Sequence, residues 1–184
     1  MALNLRSLVS RLDATCRSAI EGAAGLCLAR THYDVEIEHL LVKLLEADNT
    51  DLHRILRQFE VPADALERAL GKALDGLNAG NQRTPALSAH IPLLLERGWG
   101  WASIEFGESK IRSGHLLVAL LADAELRRLL GDAAGVLAPV NLETLLQNFH
   151  AIVAASAEAK QARGLGDAAG APAGADIAPG SGSA

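Results

Sequence analysis

Histidine and cysteine are the side chains in this sequence that could bind a metal or act as nucleophiles. His39 and His115 each begin a similar apolar segment, His-Leu-Leu-Val, and lie 76 residues apart. A histidine that begins an apolar helix more often hydrogen-bonds to a backbone carbonyl group than binds a ligand. His32 and Glu36 could join His39 as metal ligands only on one continuous helix, and Tyr33-Asp34-Val35 is typical of a connector. Clustered thiols and a His-Glu-x-x-His motif are also absent, so we predict structural histidines and no metal site.

The two cysteines do not form an obvious reactive pair. Cys16 and Cys27 are 11 residues apart in a segment with helical periodicity. Their Cα atoms would lie roughly 16 Å apart along one helix, which is beyond the reach of a disulfide. Both fall on one face among small apolar residues, which predicts two buried thiols rather than redox or metal chemistry. An intermolecular disulfide is the alternative that this spacing leaves open.

Nucleotide and nucleic-acid chemistry are not expected either. Gly71-Lys72 is not a phosphate-binding loop, because Leu66 and Ala73 stand where a glycine and a hydroxyl residue are needed. No nucleophile lies beside a base, so we expect a non-catalytic chain without a cofactor of its own. Trp99 and Trp101 could anchor a partner or stack on bases, but the net charge of −5 argues against a nucleic acid. Core packing of at least one of them is the favoured interpretation.

The elements that position these residues are predicted to be helices. Hydrophobic residues make up 49% of the sequence and aromatic residues only 3%, which favours an all-α fold over a β-sandwich or barrel. A short first helix should break near Ser10 and Asp13, a possible capping box, before a longer helix that ends near residue 30. Further helices are predicted at residues 36–46, 50–59, 63–77, 88–106, 113–122, 125–130 and 141–160.

An internal repeat organises these helices. When the sequence is shifted by 76 residues, Glu-His-Leu-Leu-Val-Lys-Leu-Leu at residues 38–45 aligns with Gly-His-Leu-Leu-Val-Ala-Leu-Leu at residues 114–121. We predict two copies of four helices, at about residues 13–77 and 88–160, packed as a pseudo-twofold pair on either side of a polar connector. The first helix has no counterpart before the second copy. Its apolar stripe must therefore be buried against the domain or against a partner.

The ends of the sequence suggest a domain followed by a linker. Residues 164–184 are rich in glycine, alanine and proline, which predicts a flexible linker after a domain at residues 1–163. We therefore expect the chain to have been cut from a longer protein. No signal peptide and no stretch able to cross a membrane is visible, which favours a cytoplasmic location without membrane contact. The lack of a long heptad pattern favours a monomeric isolated domain.

Several short motifs resemble a known family. The paired His-Leu-Leu segments are similar to the Clp N-terminal repeat domain of AAA+ unfoldases. More closely, Arg-Thr-His-Tyr-Asp-Val-Glu-Ile-Glu-His-Leu-Leu at residues 30–41 resembles the ClpV family, the ATPases of type VI secretion. Leu-Val-x-Arg-Leu at residues 8–12 and Glu-x-Ala-Ala-x-Leu-Cys at residues 21–27 fit the same family. The resemblance covers about residues 3–160.

This resemblance implies a recognition domain whose ATPase rings, with their ATP and magnesium, lie outside this chain in a homohexameric parent. It implies that an amphipathic N-terminal helix of the larger type VI sheath protein binds in an apolar groove, so that contracted sheath can be disassembled. The family places the groove at the N-terminal helices, and the apolar spacing predicts as its lining Leu5, Leu8, Val9, Leu12, Cys16 and Ala19, with Leu87 on the opposite side. The alternatives are the N-domain of a general Clp unfoldase that takes adaptors or unfolded chains, and a structural domain of the hexamer without substrate contact.

Overall fold

Helices dominate the structure, as the leucine- and alanine-rich composition predicted. The computed structural model describes residues 4–169, and the side chains of residues 4–165. Within that range lie two short strands, β1 (Asp34–Val35) and β2 (Ala86–Leu87), and a π-helical turn at Trp101–Glu105. The α-helices there are α1 (Leu5–Ser10), α2 (Ala14–Ala29), α3 (Ile37–Glu46), α4 (Asp51–Gln58), α5 (Ala63–Asp75), α6 (His90–Gly100), α7 (Ser113–Ala122), α8 (Ala124–Leu129), α9 (Asp132–Val136), α10 (Leu142–Val153) and α11 (Ala157–Ala169).

Short extended segments tie the two repeats together. β1 of the first repeat pairs in parallel with β2, which precedes the first helix of the second repeat. In the same way Leu12, which precedes α2, pairs in parallel with Ile111 of the second repeat. The Ser88 amide donates to the Val35 carbonyl at 3.1 Å, and the Asp13 amide donates to the Ile111 carbonyl at 2.9 Å. Each repeat thus has one extended segment that pairs with the other repeat, as the predicted pseudo-twofold arrangement requires.

The start of α2 differs from the sequence expectation. Asp13 is itself the N-cap of α2, and its Oδ1 accepts a hydrogen bond from the Cys16 amide at 2.8 Å. Ser10 instead donates from its hydroxyl to the Ser7 carbonyl within α1. The predicted capping box of Ser10 with Asp13 is therefore wrong, because the chain leaves the first helix after Ser10 and begins the next one only at Ala14.

Three histidines share one structural role at helix starts. His39 Nδ1 accepts a hydrogen bond from the Glu36 amide at 2.9 Å, and His115 Nδ1 accepts one from the Arg112 amide at the same distance. His53 makes the equivalent contact in α4, with an amide-to-Nδ1 distance of 3.3 Å. The structural interpretation of His39 and His115 is confirmed, but their partner is a backbone N–H group rather than the expected carbonyl.

A continuous leucine-rich core lies between the two repeats. Every residue of α7 from Ser113 to Leu121 is buried, so this helix lies at the centre of the domain. Cys16 and Cys27 are fully buried free thiols, as predicted, and Trp99 and Trp101 are partly buried and pack against the core. Among the described residues, no helix has the length and hydrophobicity needed to cross a membrane.

The C-terminal part of the described chain departs from the prediction. The single helix predicted at residues 141–160 is two helices, α10 and α11, and the short α9 was not predicted. The helix α11 continues to Ala169, so residues 164–169 are helical although a linker was predicted from residue 164. The rest of that predicted linker, residues 170–184, lies outside the described residues.

Candidate functional site

Most of the predicted groove residues belong to the core. Leu8, Leu12, Cys16 and Ala19 expose 5% or less of their surface, so these side chains offer little apolar area to a partner, and their role as a groove lining stays a prediction. The reason is that the domain itself covers their apolar stripe: α1 packs on α6, and α2 packs on α3. The guanidinium group of Arg11 also lies over the Trp99 ring, 4.9 Å from its centroid.

The other predicted groove residues are only partly covered. Leu5 and Val9 on α1 are half-buried and pack against the core. Leu87 is 36% exposed, but it lies in β2 beside Val35, whereas Leu12 pairs with Ile111 at the other pair of extended segments. Leu87 as the opposite side of a groove therefore stays a prediction.

An open groove lies nearby, between the start of α2 and the last described helix. We call it the α2–α11 groove. It has a volume of about 180 Å³ and is more apolar than polar. Its lining residues are Leu12, Asp13, Ala14 and Arg17 on one side, Glu158, Gln161, Ala162 and Leu165 on the other, and Lys110 and Arg112. Leu165 is 59% exposed, which is unusual for a leucine and leaves an apolar contact free at this surface.

One residue of this groove, near the start of α2, was predicted from the sequence, and the α11 side was not. Leu12 is the one predicted groove residue that lines it. The α11 side was missed because residues 141–160 were interpreted as one helix and residues 164–184 as a linker. Two signals could have identified it: Ser156, a good N-cap residue, and Leu165, a single large apolar residue among glycine and alanine.

Buried charge lies directly beneath the groove. Arg112 donates from Nε to Asp51 Oδ2 at 2.8 Å and from its terminal nitrogen to Asp51 Oδ1 at 3.0 Å, a bidentate pair that is almost fully buried. The Ser156 hydroxyl also donates to Asp51 Oδ1 at 2.6 Å. Burial nevertheless raises the pKa of Asp51, and the nearby Glu158 carboxylate raises it further. This pair joins the segment before α11 to both repeats.

Glu158 of α11 accepts hydrogen bonds from the first residues of two other helices. The Asp51 amide donates to Glu158 Oε2 at 2.7 Å, and the Ser113 amide donates to Glu158 Oε1 at 2.9 Å. The Ser113 hydroxyl donates to Oε2 as well. Burial and the neighbouring Asp13 raise the pKa of Glu158 to about 7, despite these hydrogen bonds. The raised pKa favours the protonated carboxyl group over the carboxylate more than is usual for a glutamate.

Asp13, Cys16 and Glu158 form a close trio between α2 and α11. One oxygen from each carboxyl group and the Cys16 Sγ lie within 4.8 Å of one another. Burial raises the pKa of the Cys16 thiol well above its usual value, so it stays protonated, whereas a metal would need the thiolate. Glu158 already accepts three hydrogen bonds. The chemistry of this trio is hydrogen bonding rather than metal binding.

The buried histidines are likewise occupied by structural contacts. His39 donates from Nε2 to His32 Nδ1 at 2.9 Å, because its own Nδ1 accepts from the Glu36 amide. Burial, followed by the nearby His32, lowers the pKa of His39 to about 4. Burial lowers the pKa of His115 to about 3, and its ring stacks on Phe106 and Phe149. Both rings accept a backbone hydrogen bond at Nδ1, whereas His115 Nε2 is buried without a hydrogen-bond partner among the described residues.

The fold and this surface define the class of the protein. Two cross-paired helical repeats with a groove at one end place it among the all-α double-repeat domains. More narrowly, the chain belongs to the Clp N-terminal domain family, because the model of the Clp repeat (R) N-terminal domain matches residues 11–133. The resemblance seen in the sequence is thereby confirmed.

Curated relatives extend this assignment to two kinds of AAA+ protein. The chain is 41% identical to the chaperone protein ClpB of Yersinia enterocolitica over 149 residues, or 81% of this chain and 17% of ClpB. It is 35% identical to the AAA+ ATPase ClpV1 of Pseudomonas aeruginosa over 143 residues, or 78% of this chain and 16% of ClpV1. The chain thus spans about a sixth of the length of these relatives.

Solved structures agree with the ClpV relationship. The N-domain of ClpV from Vibrio cholerae superposes with a TM-score of 0.78 at 28% identity, covering 86% of this chain and 94% of the other. A complex of a ClpV N-domain with a VipB peptide superposes with a TM-score of 0.74, also at 28% identity, covering 86% of this chain and 96% of the other. The fold of this chain is therefore one that has been seen with a bound peptide.

Proposed function

We propose that this chain is the substrate-recognition domain of a ClpV-type AAA+ protein and binds an amphipathic helix of a type VI secretion sheath protein. The observation that supports this most directly is the α2–α11 groove, an open and mainly apolar surface on a fold shared with a ClpV N-domain in complex with a VipB peptide. In this proposal the docking surface is the α2–α11 groove, not the α1 face predicted from sequence spacing.

The physical basis of binding would be a helix lying in a groove. A partner helix would place two or three apolar side chains against Ala14, Ala162 and Leu165, while Arg17 and Lys110 contact its polar edge. Burial of that much surface contributes only a few kcal/mol at about 25 cal/mol per Å², before the cost of association. A single domain should therefore bind with a Kd in roughly the micromolar range. Several copies in one assembly that face a polymer of identical sites would gain avidity.

The remaining expectations about the whole protein are part of the same proposal. The chain itself would be a non-catalytic binding domain without a cofactor. ATP hydrolysis would belong to ATPase modules elsewhere in a hexameric, cytoplasmic parent that disassembles contracted sheath. The isolated domain would be a monomer, with no role in binding nucleic acid or membranes.

A pair of matched leucine variants tests the docking surface. Leu165 lines the α2–α11 groove and is 59% exposed, whereas Leu28 near the end of α2 is 57% exposed and lies outside that groove. Binding of a labelled peptide containing the N-terminal helix of the larger sheath protein is measured by fluorescence anisotropy. We expect Leu165→Asp to weaken binding at least about tenfold and Leu28→Asp to leave it unchanged, since only Leu165 would be desolvated by the peptide.

Melting curves of both variants control for folding, because aspartate at such exposed positions should leave the midpoint nearly unchanged. Equal binding by the wild type and Leu165→Asp would rule out this groove. Equal weakening by the two variants would point to a nonspecific effect of added charge.

A second candidate function is recognition of unfolded chains or adaptors by a general Clp disaggregase. The higher identity to ClpB, 41% against 35% for ClpV1, favours it. The same anisotropy assay separates the two functions when the sheath peptide competes with an unfolded, labelled casein. Preference for casein, or indifference to loss of the apolar face of the sheath peptide, would support the general disaggregase.

A further inference from the structure

The helix that forms one side of the α2–α11 groove has little apolar attachment to the rest of the domain. Among residues 157–165 of α11, only Glu158 and Ala159 are buried. Ala159 buries a single methyl group, which contributes on the order of 1 kcal/mol. A helix with so few apolar contacts should fray from the surface unless polar contacts hold it.

Glu158 supplies those polar contacts at the point where three helices begin. It accepts hydrogen bonds from the amides of Asp51 and Ser113, which are the first residues of α4 and α7. The N-cap residue of α7 is Arg112, whose side chain has no acceptor atom, so Glu158 replaces the missing cap from a distant part of the chain. The start of α2 is adjacent, because Cys16 Sγ lies 3.8 Å from Glu158 Oε1.

The charges around Glu158 favour a proton at this position. Asp13 faces it from the N-cap of α2, Cys16 from α2 itself and Asp51 from α4. Arg112, the one buried cation among the described residues, is engaged by Asp51 in a bidentate pair, and Arg17 and Lys110, which also line the groove, are not buried. Asp13 Oδ2 is buried and has no hydrogen-bond partner among the described residues. Two carboxyl groups with oxygens within 4.8 Å of each other repel when both are charged, so the pair is more stable when it carries one proton.

We propose that Glu158 is the positioning residue of the α2–α11 groove, and that one proton on the Asp13–Glu158 carboxyl pair holds α11 against the start of α2. Loss of this proton places two negative charges between the two sides of the groove, and α11 then detaches from the domain. The peptide affinity in this inference rests on the proposed function, but the position of α11 does not.

The first test measures α11 directly, without a partner. Hydrogen–deuterium exchange of α11 amides in the full chain is followed from about pH 6 to about pH 8 and corrected for the intrinsic effect of pH. We expect protection of α11 to fall about tenfold over this range while protection of α7 stays constant, because one proton is lost from the contact.

Two variants identify the atoms responsible. Asp13→Asn keeps the Oδ1 acceptor for the Cys16 amide and places an N–H donor where the unpartnered Oδ2 stands. We expect it to retain wild-type protection of α11 at pH 6 and to lose the pH dependence. Glu158→Ala should remove most protection of α11 at every pH. Because Glu158→Ala removes the cap of two helices and can also unfold the domain, Asp13→Asn with its intact cap decides the result.

Peptide binding is measured on the same samples. The affinity of the wild type for the sheath peptide should weaken about tenfold from pH 6 to pH 8, and that of Asp13→Asn should stay constant. Parallel pH profiles of α11 protection in the wild type and Asp13→Asn would overturn the positioning role. A wild type that shows the predicted α11 profile but binds no peptide at any pH would overturn the proposed function alone.

Discussion

Leu8 shows how the surroundings of a residue, and not its spacing, decide whether it serves the core or a partner. It lies on the apolar stripe of α1, where sequence spacing is the same for a docked helix and for the side of a groove. In the structure it is 2% exposed, so its surface is already buried by the domain. Leu165 is not part of such an apolar stripe, yet its exposed side chain lines the groove.

This contrast gives a stability prediction for the two leucines. Leu8→Ala should lower the free energy of unfolding by about 2–5 kcal/mol, because it leaves a cavity in the core. Leu165→Ala should change it by less than about 0.5 kcal/mol, because that side chain is mostly in water. Urea unfolding followed by circular dichroism measures both values. A small effect of Leu8→Ala would mean that α1 is only loosely attached and could itself be displaced by a partner.

At the scale of helices, the sequence predicts those helices whose ends are determined by neighbouring residues in the chain. The predicted start and end of α7 agree with the structure, and those of α3, α4 and α8 agree to within one residue. The break between α10 and α11 was missed, because residues 151–163 are nearly all good helix formers and Ser156 is the one local sign of a new helix start there. It is stabilised by distant contacts: Asn49 Nδ2 donates to the Ala155 carbonyl, and the Ala157 amide donates to the Asn49 carbonyl.

Packing between helices also explains where the repeat loses its symmetry. Gly114 of α7 occupies the position of Glu38 in α3. A Cβ atom at Gly114 would lie 2.8 Å from the Phe149 ring and 3.0 Å from the Cβ atom of Asp51. Glu38 is half-buried in the first repeat, where a large side chain is accommodated. The second repeat therefore requires glycine where α4 and α10 both cross the start of α7.

Alanine substitutions at two helical glycines test this explanation. Gly114→Ala should destabilise the domain by about 1–3 kcal/mol, because Phe149 and the buried Asp51 must both move. Gly25→Ala in α2 is the control: nothing lies within 4 Å of its Cβ position, and alanine should add up to about 1 kcal/mol through its helix propensity. Thermal unfolding monitored at 222 nm compares them. Equal stabilisation by both changes would show that the start of α7 has spare room.

At the scale of the whole molecule, duplication could be predicted from sequence and the groove could not. The matching His-Leu-Leu-Val segments predicted two copies, because the same cap and the same buried leucines are needed in each. The groove lies where α11, an element near the C-terminal edge of the second copy, meets the start of the first copy. Contacts such as Glu158 with Ser113 join residues 45 positions apart, and no local pattern encodes them.

Two buried histidines and a buried glutamate change the stability of the whole domain in opposite directions as the pH changes. Burial lowers the pKa of His39 to about 4 and that of His115 to about 3. Both rings are neutral in the folded state, so their contribution to stability is lost as pH falls below the ordinary histidine value of about 6.5. The pKa of Glu158 is raised to about 7, so its contribution is present at low pH and is lost as pH rises from its ordinary value of 4.5 toward 7.

A variant that lacks the two histidines should reveal how Glu158 contributes to the pH dependence of stability. His39→Asn combined with His115→Asn keeps an acceptor oxygen at both helix starts and removes two groups that must otherwise be deprotonated to fold. Between about pH 5 and about pH 6.5 the stability of the wild type gains from deprotonation of these histidines. In the double variant only the smaller gain from His32 is left, whose pKa burial also lowers, and the free energy of unfolding should fall with rising pH, because Glu158, together with Asp13 and Asp51, whose pKa values are also raised, then dominates. Urea titrations at closely spaced pH values measure the slope, and adding Asp13→Asn to the double variant should flatten it. If adding Asp13→Asn left the slope unchanged, the protonated carboxyl pair of Asp13 and Glu158 would not be part of the folded state.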